Sequence, residues 1–202
     1  SPTRVPRTGT TFSDPRAVGI DNNNSRALVS DVTLNAVFAV DLATGNRTIL
    51  SQFSTSTGSG PDYGQPTHMA IDYPSQRLLV TAYETLSVYA VDLQSGDRST
   101  ITSNATHAGT GLVRTRGITL QPGEQRALVV DTDGQVLLSV DLSPDEGERA
   151  IFSDSVTGIG SGAAFSQPEH LVIDEDAGVA YVADQGLDAT FRVDLASGDR
   201  TI

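Results

Sequence analysis

Two histidines at matching positions in the chain are the first residues that could do chemistry. His68 lies in PTHMAID (66–72) and His170 in PEHLVID (168–174), each two residues after a proline. A histidine near a carboxylate can act as a general base or bind a ligand, and Glu169 adjoins His170. The structural alternative is that both rings only pack against neighbouring elements. His107 lies in a connecting segment and is the lesser candidate.

Charged residues suggest an anion site and a metal site. Arg16 and Arg116 could hold an anionic group through paired N–H donors, or they could form ion pairs with nearby aspartates. Four carboxylates are candidate oxygen ligands for Ca²⁺ or another hard cation: Asp31, Asp131, Glu169 and Asp184. Aspartates at strand ends also accept hydrogen bonds from loop amides. We favour this structural role, because three of the four copies described below share the aspartate.

Composition excludes several classes of function. The 202 residues carry 13 positive charges, all arginine, against 25 acidic residues, for a net charge of −12. Nucleic acid and anionic membrane surfaces are therefore not expected as partners. No apolar run approaches the ~20 residues of a membrane span, so no membrane insertion is expected. The absence of cysteine rules out a disulfide scaffold and thiol catalysis.

One short sequence motif occurs four times in the chain. AVDLATGNR, AVDLQSGDR, SVDLSPDEGER and VDLASGDR share a Val-Asp-Leu followed by Gly and Arg. The motif contains one aspartate in each copy: Asp41, Asp92, Asp141 and Asp194. Its arginine recurs every 51 residues, at Arg47, Arg98, Arg149 and Arg200. This regularity indicates four copies of one structural unit.

Each copy is typical of four short β-strands. In the last copy these are HLVID, VAYVAD, TFRVDL and DRTI, with Gly-containing turns between them and no helical period. Four-stranded units repeated at roughly 40–50 residues predict a β-propeller, because one small sheet cannot bury both faces alone. We predict an all-β single domain over 1–202, with blades at 15–52, 66–103, 115–153 and 168–202. Residues 1–14 complete the last blade or lead into the first.

The last copy also resembles a known family. PEHLVIDEDAGVAYVADQGLDATFRVDL (168–195) is similar to an NHL-type repeat. The wider relatives are the SMP-30/gluconolactonase-like and strictosidine-synthase-like six-bladed propellers. The chain departs from the NHL pattern in its longer period and in the residue two after the proline, which is Ala17, His68 or His170 instead of Gly. The resemblance implies an extracytoplasmic protein and, in its lactonase branch, a divalent ion bound at one rim.

The repeat also predicts where a ligand binds. In a propeller the first strand of each blade lines the central channel, and its start opens on the same rim as the end of the second strand. The alignment places at this rim the candidate ligand-binding residues Arg16, His68, Arg116, Glu169 and His170, beside the candidate metal ligands. These positions vary between copies while the strands around them do not, which favours a function for them.

The number of blades leaves three assemblies open. The chain is part of a larger ring, or it closes alone with four blades, or two chains form a homodimer that completes an eight-bladed ring. We expect the first and keep the others as alternatives. An uncovered end blade would expose an apolar face and favour association.

The expected function is a binding or interaction scaffold, with a small molecule or a protein partner at the rim and either no cofactor or a divalent cation such as Ca²⁺. The alternative is a metal-dependent lactonase or esterase, in which Glu169 and Asp184 hold the ion and Asp31 or Asp131 is the base. No HExxH, GxSxG or CxxC motif supports a specific enzyme class.

Overall fold

The protein folds as four blades of a β-propeller. The structure is a computed structural model that describes residues 8–121, 123–143 and 147–202. This part of the chain forms four separate four-stranded antiparallel sheets and contains no α-helix, only two one-turn 3-10 segments. The predicted all-β propeller of four four-stranded blades is therefore confirmed.

Within each blade the strands follow one another in chain order. Blade 1 comprises β1 Pro15–Asp21, β2 Arg26–Asp31, β3 Ala36–Asp41 and β4 Arg47–Gln52. Blade 2 comprises β5 Pro66–Asp72, β6 Arg77–Ala82, β7 Ser87–Asp92 and β8 Arg98–Ser103. Blade 3 comprises β9 Thr115–Gln121, β10 Arg126–Asp131, β11 Val136–Asp141 and β12 Arg149–Ser153. Blade 4 comprises β13 Pro168–Asp174, β14 Val179–Asp184, β15 Ala189–Asp194 and β16 Arg200–Thr201.

Residues 8–14 lie against blade 1 as a lead-in segment. Arg47 donates its backbone N–H to the Thr8 carbonyl oxygen at 3.0 Å. Arg98 makes the equivalent bond to Ser59, and Arg200 to Ser161, at the starts of their own lead-in segments. The N-terminal residues described thus repeat the connection found before the other blades. The earlier part of the 1–14 prediction, residues 1–7, lies outside the described residues.

The core consists of the contact layers between successive blades. Leu28 and Val37 of blade 1 pack on Leu78 and Val80 of blade 2. Equivalent layers join blade 2 to blade 3 and blade 3 to blade 4. The middle strands of the inner blades are therefore buried on both faces, which explains their near-continuous runs of Val, Leu and Ala.

The repeated arginine ties each lead-in segment to its blade. The guanidinium group of Arg98, 6% exposed, donates from Nε to the Pro61 carbonyl oxygen at 2.7 Å. Its Nη1 donates to the Ser51 hydroxyl of the preceding blade, also at 2.7 Å. Arg149 and Arg200 make the same two kinds of contact. The 51-residue spacing of arginine thus has a structural cause in three copies, because Arg98, Arg149 and Arg200 each link two blades. The Nε atom of Arg47, in the first blade, has no hydrogen-bond partner among the described residues.

Among the residues that the structure describes, the first and last blades each have one face that no other blade covers. On blade 1, Val18 is 69% exposed and Ile20 47% exposed. On blade 4, Val172 is 53% exposed and Tyr181 39% exposed. On the inner blades the counterparts of Val18 and Ile20 are less exposed: Ile118 is 3% exposed, and Met69, Ile71 and Leu120 are partly buried.

Candidate functional site

The first strand of every blade has an irregular register at its start. In β1, Pro15 pairs with Asp31, but the next regular pair is Ala17 with Ser30. The same shift occurs in β5, β9 and β13. A bulge of this kind re-aims side chains at a strand end. The bulge changes the direction of the predicted rim side chains, because these are the first and second residues after Pro15, Pro66, Thr115 or Pro168.

The two histidines meet although 102 residues separate them. The ring centroids of His68 on β5 and His170 on β13 lie 5.2 Å apart with the planes tilted by 31°. β9 runs between these strands and carries Gly117 at the matching position. A Cβ at Gly117 would lie 2.8 Å from the His170 Cα atom. The missing side chain on β9 thus leaves the space in which the rings approach each other.

Burial and positive neighbours keep His68 neutral. Desolvation, followed by the charges of His170, Arg116 and Arg16, lowers the pKa of His68 to about 4. Desolvation also lowers the pKa of His170. The Nδ1 atom of His68 is buried and has no hydrogen-bond partner in the described part of the chain. A neutral imidazole with an unused ring nitrogen can bond a ligand as donor or acceptor.

Glu169 lies between two arginines of β9 and its lead-in segment. Its Oε2 is 3.4 Å from Arg116 Nε, and its Oε1 is 3.3 Å from Arg114 Nη2. Arg114 also approaches Asp133, with 3.3 Å between Nε and Oδ1. Arg116 Nε is nevertheless buried without a hydrogen bond among the described residues. The ion pairs therefore leave donor capacity at the rim unused.

Arg16 completes the group. Its Nη2 is 2.9 Å from Asp14 Oδ2, with both side chains substantially exposed. Arg16 and Arg116 line one pocket of about 260 Å³, called the rim pocket. Its other lining residues are Val32, Gln65, Thr67 and Tyr83. Larger hollows of about 420 and 560 Å³ lie around the opposite strand ends of blades 3 and 4, lined by residues such as Glu124 and Arg126. These hollows are lined by residues of one or two blades, whereas three blades contribute side chains to the rim pocket.

The structure therefore brings together Arg16, His68, Arg116, Glu169 and His170, which we call the rim cluster. Arg16 forms the ion pair with a nearby aspartate that was weighed as the alternative, here Asp14, whereas Arg116 pairs with Glu169 and not with an aspartate. His107 lies elsewhere, in the loop after β8, where its Nδ1 is 2.7 Å from the Thr106 hydroxyl.

The three aspartates at the ends of second strands bond backbone amides. Asp131, 1% exposed, accepts N–H groups from Val113, Arg114 and Gly134 at 2.7, 3.0 and 2.9 Å. Asp31 and Asp184 each accept three amides from the same places in their blades. Each carboxylate therefore fixes a lead-in segment and a turn.

The candidate metal ligands are not assembled into one site. In residues 8–121, 123–143 and 147–202, no three His, Asp or Glu side chains are grouped so that they could hold a metal ion. Asp31, Asp131 and Asp184 serve separate blades, and Glu169 faces arginines. A divalent cation such as Ca²⁺ stays a prediction that these contacts do not support.

Sequence reasoning missed three members of this surface. Arg114 lies one residue before β9, in register with Asp14, Gln65 and Gln167 of the other copies. Tyr83 follows the second strand of blade 2, where the other blades have Val, Thr or Gln. The variation between copies at these two positions is the signal that would have identified Arg114, Gln65 and Tyr83.

Comparison with known proteins supports the fold and no specific family. No protein-family model and no curated protein matches the chain. Similar solved structures include a protein of unknown function from Bacteroides thetaiotaomicron, with a TM-score of 0.68 and 14% identity over 96% of this chain and 44% of that chain. Kuenenia stuttgartiensis hydrazine synthase has a TM-score of 0.65 and 17% identity over 96% of this chain and 50% of that one.

A catalytically inactive virginiamycin B lyase from Staphylococcus aureus, with quinupristin, has a TM-score of 0.64 and 12% identity over 93% of this chain and 54% of that one. Such identities show the β-propeller fold alone. The chain spans about half the length of these structures. In the described part of the chain, no helix has the length and apolar character needed to cross a membrane.

Proposed function

We propose that this protein is an extracytoplasmic binding module that takes a small ligand with a carboxylate group in the rim pocket. The observation that carries the proposal is a group of three buried nitrogen atoms that make no hydrogen bond, although the two arginines among them form ion pairs. Three of the six buried side-chain N and O atoms without a hydrogen-bond partner in the described residues belong to His68, Arg114 and Arg116. Buried polar groups normally have partners, and a bound anion would supply them here.

The charges of the pocket favour a carboxylate. A guanidinium group presents a planar fork of N–H donors that matches the two oxygens of a carboxylate. Arg16 and Arg116 reach the pocket from β1 and β9, so they approach a ligand from different blades. The Arg16–Asp14 pair is exposed, and exposed pairs contribute only about 0–1 kcal/mol. A ligand can replace it at little cost.

The other residues would fix the orientation of the ligand. Gln65, Thr67 and Tyr83 line the pocket with amide, hydroxyl and phenol groups. His68 and His170 adjoin the arginines, because the charges of His170, Arg116 and Arg16 act on the His68 ring. The low pKa of His68 means that its ring offers one donor and one acceptor at neutral pH rather than a third positive charge.

The location outside the cytoplasm is proposed from the resemblance to secreted bacterial propellers. The lactonase alternative requires carboxylates that are free to hold an ion. The contacts of Asp31, Asp131 and Asp184 with backbone amides therefore favour the binding module over the enzyme.

The test is thermal unfolding with a series of dicarboxylates from oxalate to glutarate. A ligand that binds the folded state raises the melting temperature in proportion to the logarithm of its concentration. We expect a rise for the wild type with at least one acid, which Arg116→Gln abolishes. The matched control is Arg192→Gln, which removes an exposed arginine far from the rim pocket and should preserve the rise. If no acid raises the melting temperature at about 10 mM, or if both variants respond equally, the proposal is wrong.

A further inference from the structure

An arginine at the start of the second strand joins each of the first two blades to the blade that follows it. Arg26 Nε donates to Asp21 Oδ2 at 2.8 Å, and its Nη2 donates to the Leu93 carbonyl oxygen just after β7 of blade 2. Arg77 makes both bonds in the same way, to Asp72 at 2.8 Å and to a carbonyl oxygen of blade 3 at 3.4 Å. In both blades an aspartate neutralises the arginine, and the guanidinium group reaches across the contact.

Arg126, the counterpart on blade 3, has different partners. Gln121 replaces the aspartate, and its uncharged amide oxygen accepts from Arg126 Nε at 2.8 Å. The guanidinium carbon lies 5.3 Å from the ring centroid of Phe152, which stands where blades 1 and 2 have Leu50 and Ile101. In the described part of the chain, Arg126 forms no ion pair and no hydrogen bond to blade 4. Two substitutions within blade 3 thus accompany the loss of the inter-blade bond.

The hollow of about 560 Å³ described above lies at this contact between blades 3 and 4, and we call it the inter-blade hollow. Ile173 and Leu195 of blade 4 give it apolar lining, and both side chains are only partly buried. Arg126 supplies one positive charge, whereas Glu124 and Glu175 supply two negative charges. A hollow of this size, with apolar lining and a few charged groups, has the character of a small-molecule site.

We propose that the inter-blade hollow binds a free α-amino acid with an aliphatic side chain, such as leucine. The guanidinium group of Arg126 pairs with the carboxylate, because its N–H donors match the two oxygens and no protein carboxylate occupies them. Glu124 and Glu175 attract the ammonium group, and Ile173 and Leu195 contact the side chain. A simple carboxylate would be repelled by the glutamates and a simple amine by Arg126, so both charges of the ligand are needed.

Thermal unfolding with leucine and two analogues tests this assignment. For a dissociation constant of about 1 mM, leucine at about 20 mM should raise the melting temperature by about 5 °C. Leucinamide lacks the carboxylate and 4-methylpentanoate lacks the ammonium group, so each should give less than about half of that rise. The absence of a rise with leucine, or an equal rise with either analogue, would overturn the proposal.

Variants show whether leucine binds at Arg126. Arg126→Gln should abolish the rise, whereas the matched control Arg77→Gln, at the equivalent arginine of blade 2, should preserve it. Glu175→Gln, at an exposed carboxylate, should fold normally and reduce the rise. A full rise in Arg126→Gln, or its loss in Arg77→Gln, would contradict the site.

The variant Arg116→Gln separates this site from the proposed rim pocket. It should respond to leucine as the wild type does, because Arg116 does not line the inter-blade hollow. Loss of the leucine response in Arg116→Gln would place the amino acid in the rim pocket and overturn the second site. The dicarboxylate response of the rim pocket is measured separately, so either site can fail without the other.

Discussion

Replacing Asp131 by alanine tests whether the strand-end aspartates stabilise the loops or hold a metal ion. The carboxylate is buried and accepts three backbone N–H groups at 2.7 to 3.0 Å, two from the lead-in segment of blade 3 and one from Gly134. A hydrogen bond to a charged group contributes about 1.5–3 kcal/mol. The free-energy contributions of the three bonds do not simply add, because water can enter the loop and bond the amides once the carboxylate is removed. We expect a loss of about 4 kcal/mol in the free energy of unfolding.

For a chain of this length, a loss of that size corresponds to a fall of roughly 10 °C in the melting temperature. Asp131→Asn should lose about half as much. Its amide oxygen can still accept from Arg114 and Gly134, which both bond Oδ1, while its NH₂ group faces the Val113 N–H. Urea unfolding followed by circular dichroism measures both variants. The matched control is Asp176→Ala, an exposed carboxylate in the first turn of blade 4, which should change stability by less than about 0.5 kcal/mol.

Blade 2 provides an internal comparison, because it has Ala82 where the other blades have aspartate. There the Gln65 N–H donates to the Asn35 side chain of blade 1 instead, at 3.2 Å. The aspartate is thus needed only where no other acceptor reaches the lead-in segment. Two results would refute this reasoning: a loss below about 1 kcal/mol for Asp131→Ala, or a Ca²⁺-dependent rise in the wild-type melting temperature that EDTA reverses and the variant lacks.

Three more predictions concern substitutions of His68, Arg98 and Gly60. The folded-state pKa of His68, about 4, lies below its ordinary 6.5, so the unfolded chain binds the proton more tightly. The contribution of His68 to the unfolding free energy should be complete above about pH 6.5 and should fall by about 3 kcal/mol on titration to about pH 4. The variant His68→Gln should show a weaker dependence of the unfolding free energy on pH. An unchanged pH dependence would contradict the low pKa of His68. The variant Arg98→Met should lower the free energy of unfolding in urea by about 3 kcal/mol, because the Arg98 guanidinium group donates to Pro61, Ser51 and Thr57. The control Arg192→Met, at an exposed arginine, should lower it by less than about 0.5 kcal/mol. Equal losses would show that the inter-blade link of Arg98 does not stabilise the fold. Gly60→Ala should lower the melting temperature far more than Gly158→Ala. Both glycines have positive φ, but only the Cβ at Gly60 would lie 2.0 Å from a carbonyl oxygen, that of Arg98; similar melting temperatures would contradict the clash.

The architecture of one blade is determined locally, and the sequence was therefore enough to predict it. Strand periodicity, Gly-containing turns and the 51-residue spacing of the arginines come from interactions within one copy and with the next. The same alignment located the rim residues, since equal positions in equal units must lie at the same height. It also favoured a structural role for Asp31, Asp131 and Asp184, because a structural role repeats with the structural unit, but the amide contacts behind that role are visible only in the structure.

Only the tertiary structure decided which rim residues meet. The contact of His68 with His170 depends on the angle between successive blades and on the empty space above Gly117, neither of which is visible in a single copy. The pairing of Arg116 with Glu169, the burial of unpaired nitrogens and the exposure of Val18 and Val172 likewise arise between blades. Periodicity determines what each unit is, whereas the packing of units around an axis determines which of their side chains come into contact.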